Sequence, residues 1–170
     1  MKAVITFISL VFASNFYASG VSAQEKSPWS VQCTEENKPE TCRMAQIQSA
    51  TKEVDGKIQP IGKILGLTVL YVTNAETKKR SPHMSIQMPL GVDLRPGAVI
   101  KVDDNKEINL PYLRCTQRGC DASLELDSKL LRSILAGIDF NVGFRAWGSN
   151  KTTLVKASLT GFTKAFRRLK

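Results

Sequence analysis

The chain has 170 residues, 42% hydrophobic and 23% charged, with a formal net charge of +9 and a pI near 9.6. That length holds one domain with a real core, and nothing after the N-terminal leader is apolar for long enough to cross a bilayer as a helix. The charge favours acidic partners and not nucleic acid, because the aromatics, 7% of the chain, do not interleave with the basic residues as a base-stacking surface requires.

In chain order, the first element is a leader. Lys2 gives a positive start, Ala3 to Ala13 form an uncharged apolar run, and Val21-Ser22-Ala23 provides a small-residue cleavage site before Gln24. The run is short for a membrane anchor, which takes about 20 apolar residues, and polar Ser14, Asn15, Ser19 and Ser22 follow it. No cysteine stands at the cleavage point, so a lipid anchor is not expected. Residues 1–23 therefore read as a signal peptide and 24–170 as a single exported domain without a membrane span. Export also argues against nucleic acid.

Cys33, Cys42, Cys115 and Cys120 are an even set, which in an exported chain reads as disulfides. Four cysteines allow three pairings. The local one, Cys33–Cys42 with Cys115–Cys120, is favoured because the partners are near in sequence. Cys115-Thr-Gln-Arg-Gly-Cys120 also looks like a hairpin tip, which sets its cysteines opposite each other within bridging distance. A four-cysteine zinc site is the rival, disfavoured outside the reducing cytoplasm. Each bridge should stabilise the fold by about 2–3 kcal/mol.

Trp29 to Cys33 alternates as a strand, Thr34 to Thr41 is a polar loop, and a second strand covers Cys42 to Ser49, with a turn at Asp55-Gly56. Ile64 to Val72 is apolar on both alternations, which predicts a central strand covered on both faces. Met84, Ile86 and Met88 form one side of a strand ending at Pro89. Arg95-Pro96-Gly97 has the residue order of a type II turn. Strands are expected at Ala98 to Val102, Ile108 to Cys115 and Cys120 to Leu126. A helix follows, capped by Asp127, buried through Leu130, Leu131, Ile134 and Leu135, and stopped at Gly137. Phe140, Val142, Phe144 and Ala146 then point one way along a strand, with Asn141, Arg145 and Trp147 pointing the other. Thr152 to Leu159 pairs back, and Phe162, Ala165, Phe166 and Leu169 share one face of a terminal helix. About nine strands and two short helices predict a mainly β fold, an antiparallel, immunoglobulin-like β-sandwich.

Little catalytic chemistry is visible. His83, the one histidine, sits beside Pro82 at a strand start, and no Gly-x-Ser-x-Gly elbow is present. Asp103, Asn105 and Glu107 have calcium-loop spacing, but Ile108 stands where glycine is required and Arg114 where the bidentate glutamate belongs. No enzyme, cofactor or metal is expected. Two features could bind. Lys78, Lys79 and Arg80 form a basic run to which the terminal helix adds Lys164, Arg167, Arg168 and Lys170, and Trp147 could be an aromatic anchor on the Arg145 side. A solvated face and a buried tryptophan are the plain alternatives, and both stay open.

Several landmarks together resemble the invasion-associated locus B proteins of alphaproteobacteria. They are Trp29-Ser-Val-Gln-Cys33, Cys42-Arg-Met-Ala-Gln46, Met88-Pro-Leu-Gly-Val92 leading to Gly97, Tyr112-Leu-Arg-Cys115 with Gly119-Cys120, and Ser158-Leu-Thr-Gly-Phe-Thr-Lys-Ala-Phe166. The resemblance implies a secreted β-sandwich without known catalytic activity, found in the periplasm or at the outer surface, in some members tied to host-cell entry, including red-cell invasion. It implies structural roles for its motif residues and no binding site. The expected function is a non-enzymatic exported protein that assists invasion or attachment through a host-cell surface or envelope protein. A periplasmic protein that binds another envelope component is the alternative. The oligomeric state stays open.

Overall fold

The structure, a computed structural model, describes residues 27–36 and 38–169; the leader and Lys170 lie outside them. The strands are β1 (Ser30–Cys33), β2 (Cys42–Val54), β3 (Lys57–Thr73), β4 (Arg80–Met88), β5 (Ala98–Val102), β6 (Ile108–Leu110), β7 (Arg114–Thr116), β8 (Gly119–Glu125), β9 (Asp139–Arg145) and β10 (Thr152–Ser158). Helix α1 spans Ser128–Ala136 and α2 Phe162–Phe166, the latter continued by a 3-10 turn over Arg167–Leu169. A six-stranded sheet in the order β1-β2-β3-β4-β8-β7 and a four-stranded sheet in the order β10-β9-β5-β6 supply one shared core, and every pairing is antiparallel. This is the expected sandwich.

Strand alternation builds the core. Met44, Leu67, Val69, Met84 and Ile86 from one sheet, with Ile100, Phe140 and Val142 from the other, are all at most 1% exposed. Asp127 caps α1 by accepting the N–H groups of Lys129 and Leu130, each at 2.8 Å. Both disulfides join residues directly opposite in register, Cys33 with Cys42 and Cys115 with Cys120, each with Cα atoms 3.9 Å apart. The C-terminal segment closes one end: Phe162 meets Trp29 edge-on at 5.0 Å, Phe166 stacks on Tyr71 at 5.9 Å, and the Trp29 indole donates to the Ser158 carbonyl at 3.0 Å.

Three expectations change. Residues 108–115 are not one strand: β6 pairs with β5 in one sheet and β7 with β8 in the other. Pro111, which has no N–H for a ladder, lies in the crossing between the sheets. β3 is not covered on both faces: Leu65, Leu67 and Val69 are buried, whereas Val72 is 39% exposed. Finally, β2 and β3 run well past the sheet, paired as far as Val54 with Lys57. β1 covers β2 only over Cys42–Ala45 and β4 covers β3 only over Gly66–Thr73, so about residues 50–62 form a two-stranded arm with no strand beside it among the described residues. Asp55 (φ 52°) and Gly56 (φ 72°) make its tip, both left-handed as a two-residue hairpin turn requires. Val54, Ile58 and Ile61 stand exposed along it.

Candidate binding surface

The suspected residues fall into two groups at opposite ends of the sandwich. In the β3–β4 turn, the Asn74 side-chain oxygen accepts the N–H groups of Glu76 and Thr77, both at 2.9 Å, and the Asn74 N–H donates to the Lys79 carbonyl at 2.9 Å. This tight turn holds Lys78 (φ 56°) and Lys79 exposed. Arg80 begins β4 with its guanidinium 4.4 Å from the Tyr71 ring centre and Nη2 donating to the Leu169 carbonyl at 3.4 Å. That bond brings exposed Arg167 and Arg168 to the same end. Among the described residues none of these cations enters an ion pair. The basic run and the terminal helix thus form one patch, in which Arg80 is also a structural fastener.

Arg145 and Trp147 lie elsewhere. β4 is 9 residues long, so its ends are about 26 Å apart at the rise of a strand, and the loop leaving its far end carries the second cluster. That loop is fastened to the end of β9 by a Val92–Ala146 bridge, by the Asp93 N–H donating to the Arg145 carbonyl at 2.7 Å, and by the Trp147 N–H donating to the Gly91 carbonyl at 2.7 Å. Asp93 is only 3% exposed, and Arg95 grips both its oxygens, Nε on Oδ1 and Nη2 on Oδ2, each at 2.8 Å. These bonds hold the Asp93 carboxyl below its ordinary range, with the charges of Arg95 and Arg145 acting in the same direction, and they raise the Arg95 guanidinium in turn. The guanidinium carbon of Arg95 lies 5.0 Å from the Trp147 ring centre, and Trp147 is 69% exposed. A cation over an aromatic face is attractive, so buried Asp93 fixes Arg95 and Arg95 steadies the tryptophan. Tyr112 is half-buried, and burial together with the Asp93 charge pushes its phenol up.

Asp93, Arg95, Arg145, Ser149 and Asn150 line an open cleft of about 520 Å³, of which the Trp147 ring is not a wall. It carries one carboxylate against two guanidiniums. The Asp93–Arg95 pair was missed in the sequence, where Arg95 registers only as the start of a turn; the available signal was an acid and an arginine two residues apart before Pro-Gly.

A smaller cleft of about 310 Å³ lies between α1 and the β5–β6 hairpin, floored by Ile100, Ile108 and Leu130 and rimmed by Lys101, Lys106 and Lys129 as well as Glu107 and Asp127. Two further positions weighed in the sequence make local contacts. His83 is half-buried, its Nδ1 3.3 Å from the Ser81 carbonyl, and no hydroxyl or thiol bonds to its ring among the described residues. The Asp103 carboxylate accepts the Asp139 N–H at 2.8 Å and the Ile138 N–H at 3.2 Å, which ties the exit of α1 to the turn after β5. Among the described residues no group of three or more acids, histidines or cysteines could hold a metal ion, and no helix is long and apolar enough to cross a membrane.

Compared with known proteins, residues 29–170 match the family model described as Invasion associated locus B (IalB) protein. Invasion protein B homologues from two strains of Brucella abortus are each 29% identical over 169 residues, spanning 96% of this chain and 91% of their own. The crystal structure of invasion associated protein B from Bartonella henselae aligns with a TM-score of 0.60 at 18% identity, covering 84% of this chain and 91% of that one. At that identity the likeness concerns the fold.

Proposed function

The chain belongs to the invasion associated locus B family, and from that premise we propose that it is an exported, non-enzymatic protein that assists attachment to or invasion of host cells, erythrocytes among them. The leader read over residues 1–23 and the two disulfides support export, with residues 24–170 as the single mature domain. The observation that carries the attachment reading is Trp147. A large aromatic left 69% exposed, yet steadied by Arg95, which the buried Asp93 carboxylate holds, has the features of a contact residue.

A second reading rests on the other end of the molecule. Lys78, Lys79, Arg167 and Arg168 form an unpaired basic patch suited to an acidic envelope component, and under that reading the protein stays in the periplasm with only an indirect part in invasion. Protease treatment of intact bacteria separates the two. Digestion of the protein at the surface is the expected result for an attachment protein, and complete protection would overturn that reading in favour of the periplasmic one. Purified protein should also bind red cells directly, and more weakly as salt rises if the basic patch contributes.

A further inference from the structure

We propose that the free edge of β2 along the arm pairs antiparallel with the same edge of a second copy of this chain, so that the protein is a two-fold dimer. The inference is separate from the attachment reading and does not depend on it.

The arm leaves two strand edges open, and they differ. β1 covers β2 only as far as Ala45 and β4 covers β3 only from Gly66, so among the described residues 46–54 of β2 and 57–65 of β3 pair with each other and with no third strand. The β3 edge is blunted. Its register jumps from Leu65 to Lys63 and from Gly62 to Pro60, which makes Ile64 and Ile61 extra residues without partners of their own. Bulges bend the strand that carries them. Pro60 lacks an N–H, and a proline within a ladder turns its nitrogen to the free side. The β2 edge has none of these devices. Every residue from Gln46 to Val54 has a partner in β3, and none is proline or glycine. A long edge that is neither blunted nor covered is a template for another strand, and a two-stranded ribbon is only marginally stable until a third strand joins it.

The sequence of the edge points to the partner, because it fits itself. With a two-fold axis at Ala50, Gln46 lies opposite Val54 of the second copy, Ile47 opposite Glu53, Gln48 opposite Lys52, and Ser49 opposite Thr51. No like charges oppose each other, and Ser49 with Thr51 is a hydroxyl pair of the kind that supports a sheet. Centring the axis on Lys52 or Glu53 would set like charges face to face, and every other centre uses less of the edge. The ends match too. The stretch starts where β1 stops and finishes at the hairpin turn, so each tip reaches the other copy's β1 and goes no further. Glu53 already faces Ile58 within one copy, and the pairing brings Ile47 of the second copy to the other side of that glutamate. Ile47 is 65% and Ile58 76% exposed, so apolar surface is covered together with backbone. A foreign extended peptide would satisfy the backbone alone.

Sedimentation of the disulfide-intact protein from low-micromolar to millimolar concentration should show a monomer converting to a dimer. In dilute solution the arm exchanges its amides freely, and protection between Gln46 and Val54 should grow with concentration. Two double variants read the register. Ser49→Lys with Thr51→Lys, and Ser49→Glu with Thr51→Glu, should each associate at least about tenfold more weakly than wild type, keep its melting temperature, and pair when the two are mixed. Directly opposite residues in an antiparallel pair have Cα atoms about 4.5–5.5 Å apart, within bridging distance for cysteines. Ala50→Cys should therefore give a disulfide-linked dimer on mild oxidation, whereas Gln48→Cys, which faces Lys52 and not itself, should not. A monomer at every concentration, an undiminished dimer in either charge variant alone, or linkage at 48 as ready as at 50 would overturn the proposal.

Discussion

At the residue scale, the most informative group is Asp93. Its carboxyl is held below its ordinary value of 3.8 by Arg95, with Arg145 adding to the effect. A carboxyl depressed in the folded state contributes stability that is complete above the unfolded value and is lost as pH falls through the folded one. Urea unfolding should therefore show wild-type stability falling more steeply below about pH 4 than that of Asp93→Asn, which cannot titrate there. Above that range the variant should be the less stable protein, because Arg95 loses its partner. Asp127→Ala removes the oxygen that accepts two helix N–H groups and should cost about 1 kcal/mol by denaturant melts. Gly119→Ala should cost more: φ is +133° there, and a Cβ would lie 2.2 Å from the Met88 carbonyl oxygen. The Asp127 cap and the Gly97 turn were legible in the sequence because each is a local device. The Asp93–Arg95–Trp147 cluster was not, since it forms only when the loop after β4 bridges to the residue after β9.

At the element scale, most strand and helix assignments held where one face is buried, because burial enforces the alternation being read. They failed at the crossing over 108–115, at Leu135, which the helix leaves 36% exposed, and along the arm. Lys52, Glu53, Lys57, Pro60 and Gly62 have no core beneath them and so show no period. The pairing there shifts register between Gln48 and Ser49 and between Ala50 and Thr51. A two-stranded ribbon is marginally stable alone, so in hydrogen-exchange measurements the amides of residues 51–59 should exchange much faster than those of Gly66 to Leu70, which are flanked by strands on both sides. Equal protection would show that the arm is held by something other than its own pairing. The two bridges close short loops, with sequence separations of 9 and 5 residues, and replacing Cys115 and Cys120 by serine should lower stability by about 2 kcal/mol. The pairing was readable because short separation and hairpin geometry agree, and both bridges turned out to use that geometry.

At the scale of the whole molecule, a net charge was readable from composition, but its division was not. The basic patch and the Asp93–Arg95–Trp147 cluster stand at opposite ends of a sandwich, so each can be disabled without touching the other. Lys78→Glu with Lys79→Glu should weaken retention on an anionic resin and leave stability within about 0.5 kcal/mol, as exposed substitutions usually do. Arg80→Ala should behave differently and lower the melting temperature, because Arg80 covers Tyr71 and holds the Leu169 carbonyl. If Arg80→Ala melts like wild type, its contacts are incidental.

The closure of the core by the last residues has a consequence for how the molecule comes into being. Trp29 belongs to the start of the described chain, yet it is buried against Phe162, and Ser27 donates to the Thr160 carbonyl at 3.3 Å. Of a chain threaded through a membrane pore from its N-terminus, the first strand would emerge with its packing partner still on the other side. Completion of the fold would have to wait for the final turn of the chain to arrive. On such a route the last residues to arrive would be the ones that complete the core around Trp29.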